Sequence, residues 1–598
     1  MKPTKAFITI NAYANADDVL IAWEPKKWSN DWVGFQLERR DNISQEVTIV
    51  SNRIPPLPGQ PPLASAQIPS STSPIRRCLW TDHHIVNTDQ ISYRVTAMKM
   101  KSDKSFEIDA SSSSEWSAPI VLSGDAGGGL QAYFNRGTLM SQIVSRFVKD
   151  KVDFRTLKQF LQNLENPSFP ARRYLAGDAL TQILDFLNEA DRRDSSIYAA
   201  IYEMNDRQLV DALKPFGARG HILLGNGSAT QPWVSKELTA AGLEVRHRDL
   251  SHHGRSSPSV HNKFVVECDS SGSNAIRVLT GSTNWTTTGL CTQLNNVLIV
   301  EDAIIAARYR SQWDKLIAAK DNMTPGLRLS NSKPTINSGI TVFYAATNDE
   351  AEFKPVLDLI KNAKEGALFL MFMPGDSPLL EALLARAEQN RIYVRGVVSR
   401  LTTSKNSKIA TVGGQVIKSG SSAQEFHNDI VLPSGVKEED KPSWAETEFT
   451  TQEIYAAHLM AIVHSKTIVI DPFSDNCAVI TGSHNFSLNA SKNNDENLVI
   501  VQGNKKLAQT YAIHMNGVYD HYSWRSFLAN SGNPDQIYKS LAGWEPGGSR
   551  YKELQFWMND LTSPDSPNLS KNPKSKTLKS SSTSSKIRSS KKTPKKTK

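Results

Sequence analysis

The chain contains the same order of elements twice, and this duplication limits its fold more than any other feature. From about residue 172, strands such as "SIYAAIYEM" and "HILLG" alternate with helices, up to the helix "AIIAARYRSQWDKLIAA". After a polar joint near 322–338, the order returns from "EFKPVLDLIKNAK" to "KKLAQTYAIHMNGVYDHY". This alternation predicts α/β sheets covered by helices on both faces, and two similar halves predict packing around a pseudo-two-fold axis.

Each half carries the same polar positions in the same order. The first half has "HNKFVVECD", "GSTNW" and "NNVLIV", and the second has "HSKTIVID", "GSHNF" and "DENLVIV". One His-x-Lys triplet or one Gly-Ser-x-Asn turn carries little information by itself. Their joint recurrence in matching order argues against a purely structural origin and indicates two parts of one site.

The first motif places a histidine and a lysine on one face of a strand. Because residues i and i+2 of a strand point the same way, His261 shares a face with Lys263. His464 shares a face with Lys466 for the same reason. The apolar residues that follow anchor each strand in the core.

The second motif adds close backbone approach and amide donors. Gly281 and Gly482 let neighbouring backbone approach, and Asn284 and Asn485 offer side-chain amides beside the His-Lys pairs. Two such sets that face each other form a pocket for a tetrahedral or trigonal-bipyramidal anion, above all a phosphodiester. No cluster with metal-ligand spacing lies nearby, so neither a metal nor another cofactor is predicted.

The paired motifs resemble those of the phospholipase D superfamily, whose signature is HxK(x)4D followed by GSxN. The resemblance covers about 172–525, and "YDHYSWR" at 519–525 is similar to the closing helix of bacterial members. The positions that match in the second half are His464, Lys466, Asp471, Gly482, Ser483 and Asn485. Those that match in the first half are His261, Lys263, Gly281, Ser282 and Asn284.

The resemblance implies a metal-independent reaction in two steps. One histidine attacks phosphorus and forms a phosphohistidine, while the other protonates the leaving oxygen and then activates water. The lysines and asparagines hold the non-bridging oxygens through charge-assisted hydrogen bonds. Asp471 and the glycines and serines of the two GSxN turns support these groups.

The first half departs from the signature at two positions. Cys268 stands where the signature has Asp, a residue that supports structure more than chemistry in family members. Asn295 stands where the second half has Glu496. In two-lobed members such a carboxylate contacts the histidine of the other lobe and fixes its tautomer. The resemblance therefore implies that Glu496 orients His261, with His261 as the nucleophile and His464 as the acid.

Seven short segments of 7 to 10 residues precede the repeated halves and predict an antiparallel β-sandwich. Trp23 and Tyr93 are expected on its inner faces, and "EWSAPIVL" resembles the last strand of a fibronectin type III domain. The glycine-rich stretch 123–131 is predicted to be a flexible joint, and "AYFNRGTLMSQIVSRFVKD" after it has helical periodicity.

The sequence thus predicts a multidomain chain. Its predicted parts are a fibronectin type III-like sandwich at 1–123, a linker and helix at 124–171, two α/β lobes at 172–325 and 338–530, a C-terminal extension at 531–565 and a disordered basic tail at 566–598. The stretch Lys571–Lys598 holds ten Lys, one Arg and no acidic residue, so the rest of the +9 chain is close to neutral. Such a polycation would bind nucleic acid or an anionic membrane surface, or would only aid solubility.

Other features are expected to be structural. The four cysteines form no CxxC pair, which favours buried thiols in a reducing compartment. The N-terminus lacks the apolar core of a signal peptide, and no run of about 18 apolar residues occurs, so the protein is predicted to be cytoplasmic, with possible peripheral membrane contact. Expected core or loop residues are Trp285, Phe486, Trp544, Trp557, His252, His253 and His458, and "LLGNGS" is expected to be a strand-end turn.

These observations predict a monomeric phosphodiesterase with both lobes in one chain. Phospholipid headgroups are the favoured substrates, because one chain that carries both motifs is the common layout of the lipid enzymes in this family. A nuclease that cleaves DNA or RNA is the alternative, with the basic tail adding affinity. The third hypothesis is a catalytically degenerate phosphate-binding protein, because Cys268 and Asn295 depart from the signature.

Overall fold

The computed structural model describes most of the folded chain. The described residues are 7–52, 68–83, 85, 90–137, 160, 162–227, 229–251, 258–401, 404, 407–412, 415–419, 430–432, 462–531 and 541–559. The basic tail lies outside this set, as do His252, His253 and His458.

The N-terminal part consists of antiparallel strands in two facing sheets. Its strands are β1 (Ile8–Ala14), β2 (Asp18–Pro25), β3 (Trp32–Asp41), β4 (Val47–Ile49), β5 (Ser51–Asn52), β6 (Ile68–Pro69), β7 (Leu79–His83), β8 (Ile91–Met100) and β9 (Phe106–Ser113). One sheet has the order β1-β2-β7 and the other β4-β3-β8-β9, while β5 and β6 form a separate pair. The predicted all-β region is therefore present, and its fibronectin type III identity stays a prediction.

The sandwich core is built around aromatic side chains. Trp23 and Tyr93 are fully buried as predicted, and Trp23 packs edge-on against Phe35 with ring centroids 5.5 Å apart. The expected last strand at 114–122 is wrong: β9 at 106–113 is the last long strand. The segment after it forms no regular strand, although the N–H groups of Ser114, Ser117 and Ile120 donate to carbonyls of β8. The "EWSAP" stretch is too polar and proline-interrupted to continue the ladder.

The first α/β unit is a mixed sheet covered by helices. Its elements are β10 (Asp125–Gly127), β11 (Leu130–Phe134), α1 (Pro170–Arg192), β12 (Ser196–Ile201), α2 (Arg207–Leu213), a 3₁₀ turn (Lys214–Arg219), β13 (Gly220–Leu224), α3 (Pro232–Ala240), β14 (Glu244–His247), β15 (Lys263–Cys268), β16 (Ala275–Gly281), α4 (Thr287–Cys291), β17 (Gln293–Leu294), β18 (Asn296–Val300) and α5 (Ala303–Ala319). The sheet order is β10-β11-β18-β16-β15-β12-β13-β14.

The stretch predicted to be a flexible joint is instead part of this sheet. β10 and β11 form a hairpin, and β11 pairs antiparallel with β18. Gly127, Gly128 and Gly129 all have positive φ and form its turn. The predicted helix from residue 132 is wrong at its start, since 132–134 belong to β11; residues 138–159 lie outside the described part.

The second α/β unit follows directly. Its elements are α6 (Pro325–Asn331), β19 (Thr335–Asn337), β20 (Ile340–Ala345), α7 (Phe353–Asn362), β21 (Gly366–Met371), α8 (Pro378–Gln389), β22 (Tyr393–Val398), β23 (Ile409–Val412), β24 (Gln415–Lys418), β25 (Ile430–Val431), β26 (Ile462–Val463), β27 (Thr467–Ile470), β28 (Ala478–Gly482), α9 (Leu488–Asn493), β29 (Glu496–Gln502) and α10 (Lys505–Ser531). The sheet order is β19-β20-β29-β28-β27-β21-β22-β25-β24-β23. The polar joint predicted near 322–338 is wrong, because α6 and β19 occupy it.

The two sheets share one order of seven strands. The run β11-β18-β16-β15-β12-β13-β14 in the first sheet corresponds to β20-β29-β28-β27-β21-β22-β25 in the second. Between the sheets, the long helices α5 and α10 pack through tyrosines. Tyr309 lies 5.0 Å from Phe264 and 5.4 Å from Tyr344 between ring centroids, and Tyr511 lies 5.1 Å from Phe134. This shared core fixes one half against the other.

The C-terminal segment ties the sandwich to the second unit. It contains a 3₁₀ turn (Leu541–Trp544) and the helix α11 (Tyr551–Met558). The Tyr13 hydroxyl donates to the Trp557 carbonyl at 3.0 Å, and Asn11 Nδ2 donates to the Met558 carbonyl at 2.9 Å. Trp544 and Trp557 are buried, as predicted. No helix in the described part of the chain is long and apolar enough to cross a membrane.

Asp471, the last residue of the signature, stabilises the second sheet. Its carboxylate accepts backbone N–H groups from Lys364, Glu365 and Gly366 at 2.8, 2.8 and 2.9 Å, just before β21. Cys268 holds the corresponding place by spacing and is fully buried at the end of β15. A strand rises about 3.3 Å per residue, so this position lies roughly 16 Å from the lysine of the motif.

We expect Asp471→Ala to destabilise the fold by roughly 2–4 kcal/mol, because three backbone donors lose a charged acceptor. Urea denaturation gives the free energy of unfolding. The matched control is Asp475→Ala, which removes an exposed carboxylate paired with Lys505 at 2.7 Å. That control should change the stability by no more than about 0.5 kcal/mol. Equal losses in the two variants would contradict the role given to Asp471.

Candidate functional site

Each signature histidine lies just before its strand and hydrogen-bonds to the backbone of the other half. The His261 N–H donates to the Asp495 carbonyl at 2.8 Å, and the His464 N–H donates to the Leu294 carbonyl at 2.9 Å. The residues before each histidine also pair in parallel with the other half: Val260 pairs with Asp495, and β26 pairs with β17. This reciprocal pairing brings the two predicted histidine strands together.

The two imidazoles lie edge-on to each other in the buried interior. Their ring centroids are 6.3 Å apart, and His261 and His464 are only 6% and 4% exposed. Lys263 Nζ donates to the His261 carbonyl at 2.9 Å, and Lys466 Nζ donates to the His464 carbonyl. The two His-Lys pairs predicted from the sequence therefore converge on one place.

Glu496 contacts the histidine of the opposite half. Its Oε1 lies 2.9 Å from His261 Nδ1, and the Ser483 carbonyl lies 3.1 Å from the same nitrogen. With two acceptors around it, Nδ1 carries the hydrogen, so the neutral ring keeps its lone pair on Nε2. The other Glu496 oxygen accepts the Asn485 N–H at 2.9 Å, and Asn494 Nδ2 donates to Oε1 at 3.0 Å.

Asn295 takes the corresponding position beside His464. Its Oδ1 lies 2.9 Å from His464 Nδ1 and also accepts the Ser282 hydroxyl at 2.8 Å. Its Nδ2 donates to the Gly289 carbonyl at 2.8 Å, which fixes the orientation of the amide. His464 Nδ1 is therefore a donor as well. The two histidines have equivalent tautomers but different partners, a carboxylate for His261 and a neutral amide for His464.

The GSxN turns lie beside the histidines. Gly281 and Gly482 have φ of +138° and +129°, and an added Cβ would lie 2.3 and 2.4 Å from the carbonyl oxygens of Asn296 and Asn497. Ser282 and Ser483 are buried, and each hydroxyl accepts a backbone N–H from the next strand, Asn296 and Asn497 respectively. The backbones approach too closely here for any larger residue than glycine.

The two signature asparagines differ in their partners. Asn284 Nδ2 donates to Glu203 Oε2 at 3.1 Å, while Asn485 is held through its backbone N–H. The Oδ1 atoms of both side chains are buried without a hydrogen-bond partner. Trp285 and Phe486, which follow them, are buried as predicted.

An aromatic ring covers each His-Lys pair. Lys263 Nζ lies 5.0 Å from the ring centroid of Tyr202, and Lys466 Nζ lies 5.0 Å from that of Phe372. The same rings contact the histidines edge-on, at 4.8 Å for His261 and 4.7 Å for His464. A ring face stabilises a cation without supplying a counter-charge.

Burial and mutual repulsion lower the pKa values of the cationic groups. Burial, followed by the Lys263 charge, lowers the pKa of His261 to about 4, although Glu496 opposes the shift. Burial also lowers the pKa of Lys263 to about 7. For His464 and Lys466, burial and the neighbouring lysine charges bring the pKa well below the usual range. Burial alone would raise the pKa of Glu496, but the charge of His261 lowers it to about 2.

Polar residues that were not predicted from the sequence join the two halves beside the histidines. The Thr280 hydroxyl donates to Asn497 Oδ1 at 3.0 Å, and Asn296 Nδ2 donates to the Thr481 hydroxyl at 3.0 Å. Arg248 forms a fully buried ion pair with Asp495, with Nε 2.6 Å from Oδ2. The two threonines stand at the same place in "TGS" of each half, and the two asparagines directly precede "VLIV" and "LVIV". This repetition was the sequence signal that could have identified them.

Carboxylates near the pocket do not gather into a metal site. Among the residues that the structure describes, no group of three or more His, Cys, Asp or Glu side chains is placed to hold a metal ion. All four cysteines are buried free thiols.

The buried histidine should make stability depend on pH. His261 has a pKa of about 4 in the fold against 6.5 ordinarily, so the unfolded chain binds more protons between these values. Stability conferred by the neutral ring is therefore lost as pH falls from 6.5 to about 4, by roughly 3 kcal/mol. In urea titrations at several pH values, His261→Gln should lose less stability over this window than the unmodified protein. The control His247→Gln, at an exposed histidine, should keep the original slope.

A tetrahedral anion should bind together with protons. An anion in the pocket offsets the repulsion that lowers the pKa values of Lys263, Lys466 and both histidines, so these groups take up protons on binding. Calorimetric titration with sulfate, whose charge is fixed near neutral pH, in two buffers of different ionisation enthalpy measures this uptake. Lys263→Met should reduce it. Absence of binding, or binding without uptake, would contradict the pocket assignment.

The chain matches a family profile described as cardiolipin synthase, PLD-like domain. The matched residues are 183–317 and 356–519, which together make up half of the chain. They contain both histidine motifs and both GSxN turns.

Relatives of known function are similar over shorter stretches. A mitochondrial cardiolipin hydrolase of Xenopus tropicalis is 35% identical over 79 residues, which is 13% of this chain and 32% of the relative. A phospholipase D of Rickettsia conorii is 30% identical over 131 residues, 21% of this chain and 59% of the relative. The matches thus span about a third to three fifths of these relatives. The solved phosphatidylserine synthase of Haemophilus influenzae Rd KW20 aligns with 64% of this chain and 92% of its own, at 12% identity and a TM-score of 0.38.

The profile matches part of each α/β unit, including the segments that carry the two histidines. On that match, the chain belongs to the family of cardiolipin synthase-type, phospholipase D-like domain proteins.

Proposed function

We propose that this protein is a metal-independent phosphodiesterase that hydrolyses phospholipid headgroups through a phosphohistidine intermediate. The observation that carries the proposal is the pair of buried histidines 6.3 Å apart, each held at Nδ1 by the opposite half. In the proposed reaction, the two Nε2 atoms act on one phosphate from opposite sides. The arrangement of the histidines also supports an approximate two-fold relation between the two α/β lobes.

The different Nδ1 partners support different roles. As His261 Nε2 forms a bond to phosphorus, its ring becomes cationic, and the Glu496 carboxylate 2.9 Å from Nδ1 stabilises that charge. His464 has the neutral Asn295 amide instead of a carboxylate at Nδ1, so its imidazolium gives up a proton more readily. His261 is therefore the nucleophile and His464 the general acid.

In the first step, the neutral Nε2 of His261 attacks phosphorus, and the bond from phosphorus to the leaving alcohol oxygen breaks. Protonated His464 donates its Nε2 proton to that oxygen, and the alcohol leaves. The phosphodiester charge restores the proton on His464, because it offsets the nearby lysines. Lys263, Lys466 and the two signature asparagines bind the non-bridging oxygens.

In the second step, water attacks the phosphorus of the phosphohistidine. Neutral His464 accepts a proton from the water, the phosphorus–nitrogen bond breaks, and the electron pair returns to His261 Nε2. The product is a phosphomonoester, and the acid is again protonated for the next cycle. No step requires an oxidant, a reductant or a metal.

Lipid as the substrate is supported by two observations. Met373, which follows Phe372 in the sequence, is 38% exposed, so an apolar side chain reaches the surface one residue from the ring that contacts His464. The relatives named above are a cardiolipin hydrolase and a phospholipase D. The departures at Cys268 and Asn295 fit an active enzyme, since Cys268 lies at the far end of its strand and Asn295 orients His464.

Trapping the intermediate tests the mechanism. Bis(p-nitrophenyl) phosphate has a leaving group that needs no general acid, so His464→Ala should still complete the first step. It should then accumulate a p-nitrophenylphosphoryl group on His261, because the second step lacks its base. Mass spectrometry of acid-labile phosphopeptides locates that group. With phospholipids, His464→Ala should lose about 1,000-fold in kcat.

The controls separate the alternatives. His261→Ala should form no phosphoenzyme, and Glu496→Gln should form it about 10- to 100-fold more slowly. The substrate panel, assayed in EDTA, consists of phosphatidylcholine and phosphatidylglycerol vesicles, plasmid DNA and single-stranded DNA. Turnover of the nucleic acids alone would make the protein a nuclease. Phosphate on His464 would make His464 the nucleophile and His261 the general acid. Absence of turnover of any diester would indicate a phosphate-binding protein without catalytic activity.

A further inference from the structure

His484, in the variable position of the second GSxN turn, is buried between two carboxylates. Its Nε2 lies 3.3 Å from Glu352 Oε1, within ion-pair distance, and its Nδ1 lies 3.8 Å from Glu496 Oε2. All three side chains are at most 1% exposed. The proposed mechanism uses Glu496 but leaves Glu352 and His484 without a role.

The Nδ1 atom of His484 has two competing partners. The Phe486 N–H donates to it at 2.9 Å, which requires the neutral ring with its lone pair on Nδ1. The Glu496 carboxylate, on the other side, can bond to Nδ1 only when that nitrogen is protonated. The protonation state of Nδ1 therefore determines whether His484 hydrogen-bonds to the Phe486 N–H or to the Glu496 carboxylate.

The neutral ring supports the geometry of the site. Phe486 has a φ of +57°, a strained conformation for a side chain of this size, and the bond to His484 closes the turn around it. This turn presents the Asn485 N–H to Glu496 Oε2 at 2.9 Å. Glu496 is thereby held against His261. The opposite half has Thr283 at the matching position, with its hydroxyl donating to the Asn296 carbonyl and no titratable group.

We propose that His484, backed by Glu352, is a positioning residue for Glu496: the neutral ring holds Glu496 on His261, and the protonated ring draws Glu496 away. This inference rests on the proposed role of His261. The glutamate behind His484 is well anchored, since it accepts the Thr347 and Ser491 hydroxyls. It therefore favours the protonated ring without moving toward it.

The surrounding charges are consistent with this behaviour. Burial would lower the pKa of His484, but hydrogen bonding and charge interactions with Glu352 and Glu496 raise it above the ordinary value. Phe353 and Phe486 pack against the ring and carry no charge. Beyond Glu496, the charged groups are His261, Lys263 and Lys466 on the pocket side and the Asp495–Arg248 ion pair on the other.

The test is the acidic limb of the pH profile of kcat/KM with bis(p-nitrophenyl) phosphate. If His484 controls the site, the limb lies above the pKa of His261, which is about 4. His484→Thr, which copies the other half, should move the limb to lower pH by about one unit or more. Glu352→Gln should move it the same way, because it removes a charge that stabilises the protonated ring. The double variant should move it no further than His484→Thr alone.

Two measurements distinguish this positioning role from a purely structural role of His484. His221→Gln removes another His–carboxylate pair, with Nδ1 2.8 Å from Glu244 Oε2, and should leave the limb unchanged. NMR titration of protein labelled at histidine Cε1 should show His484 titrating above pH 6.5 and at lower pH in Glu352→Gln. An unshifted limb in both variants, or a His484 that does not titrate in this range, would overturn the proposal. The NMR result does not require turnover, so it stands apart from a failure of the proposed function.

Discussion

The rest of the site depends on two backbone hydrogen bonds that cross between the halves, from His261 to Asp495 and from His464 to Leu294. Each is worth only about 1 kcal/mol net, but leaving either buried group unpaired would cost about 1–3 kcal/mol. They also fix the register between the facing segments of the two halves. The residue after each accepting carbonyl, Glu496 or Asn295, then reaches Nδ1 of the histidine whose N–H made the bond. One backbone contact thus sets both the position and the tautomer of a reactive ring.

The duplicated frame makes the differences between the halves informative. Asn295 is held by neutral partners, namely the Ser282 hydroxyl, the Gly289 carbonyl and the Asn135 side chain. Glu496 is a buried carboxylate that needs hydrogen-bond donors, which it finds in Asn494, Asn485 and His261. Under the proposed mechanism, this change from amide to carboxylate gives two imidazoles with equivalent tautomers different roles.

Much of the fold could be predicted from the sequence, because the strands and helices of each half have strong patterns. The strand at Lys263–Cys268 and the helix at Ala303–Ala319 match their predicted limits. The hairpin at 125–134 was mistaken for a joint, since three glycines suit a tight turn as well as a flexible linker. The histidines, lysines and GSxN turns could be placed from spacing alone. Arg248 and Asp495 could not, because 247 residues separate them and only the assembled lobes bring them together.

The two halves bring four basic side chains together at the candidate site. Two lysines and two histidines are buried close to one another, and burial and mutual repulsion disfavour their charged forms. Each α/β unit contributes one histidine and one lysine, so the cost of burying them falls on both units. The units are joined by α5, α10 and the threonine–asparagine bonds. Under the proposed function, a bound phosphodiester would relieve this repulsion, so the interactions that disfavour the charged groups would favour binding of an anion.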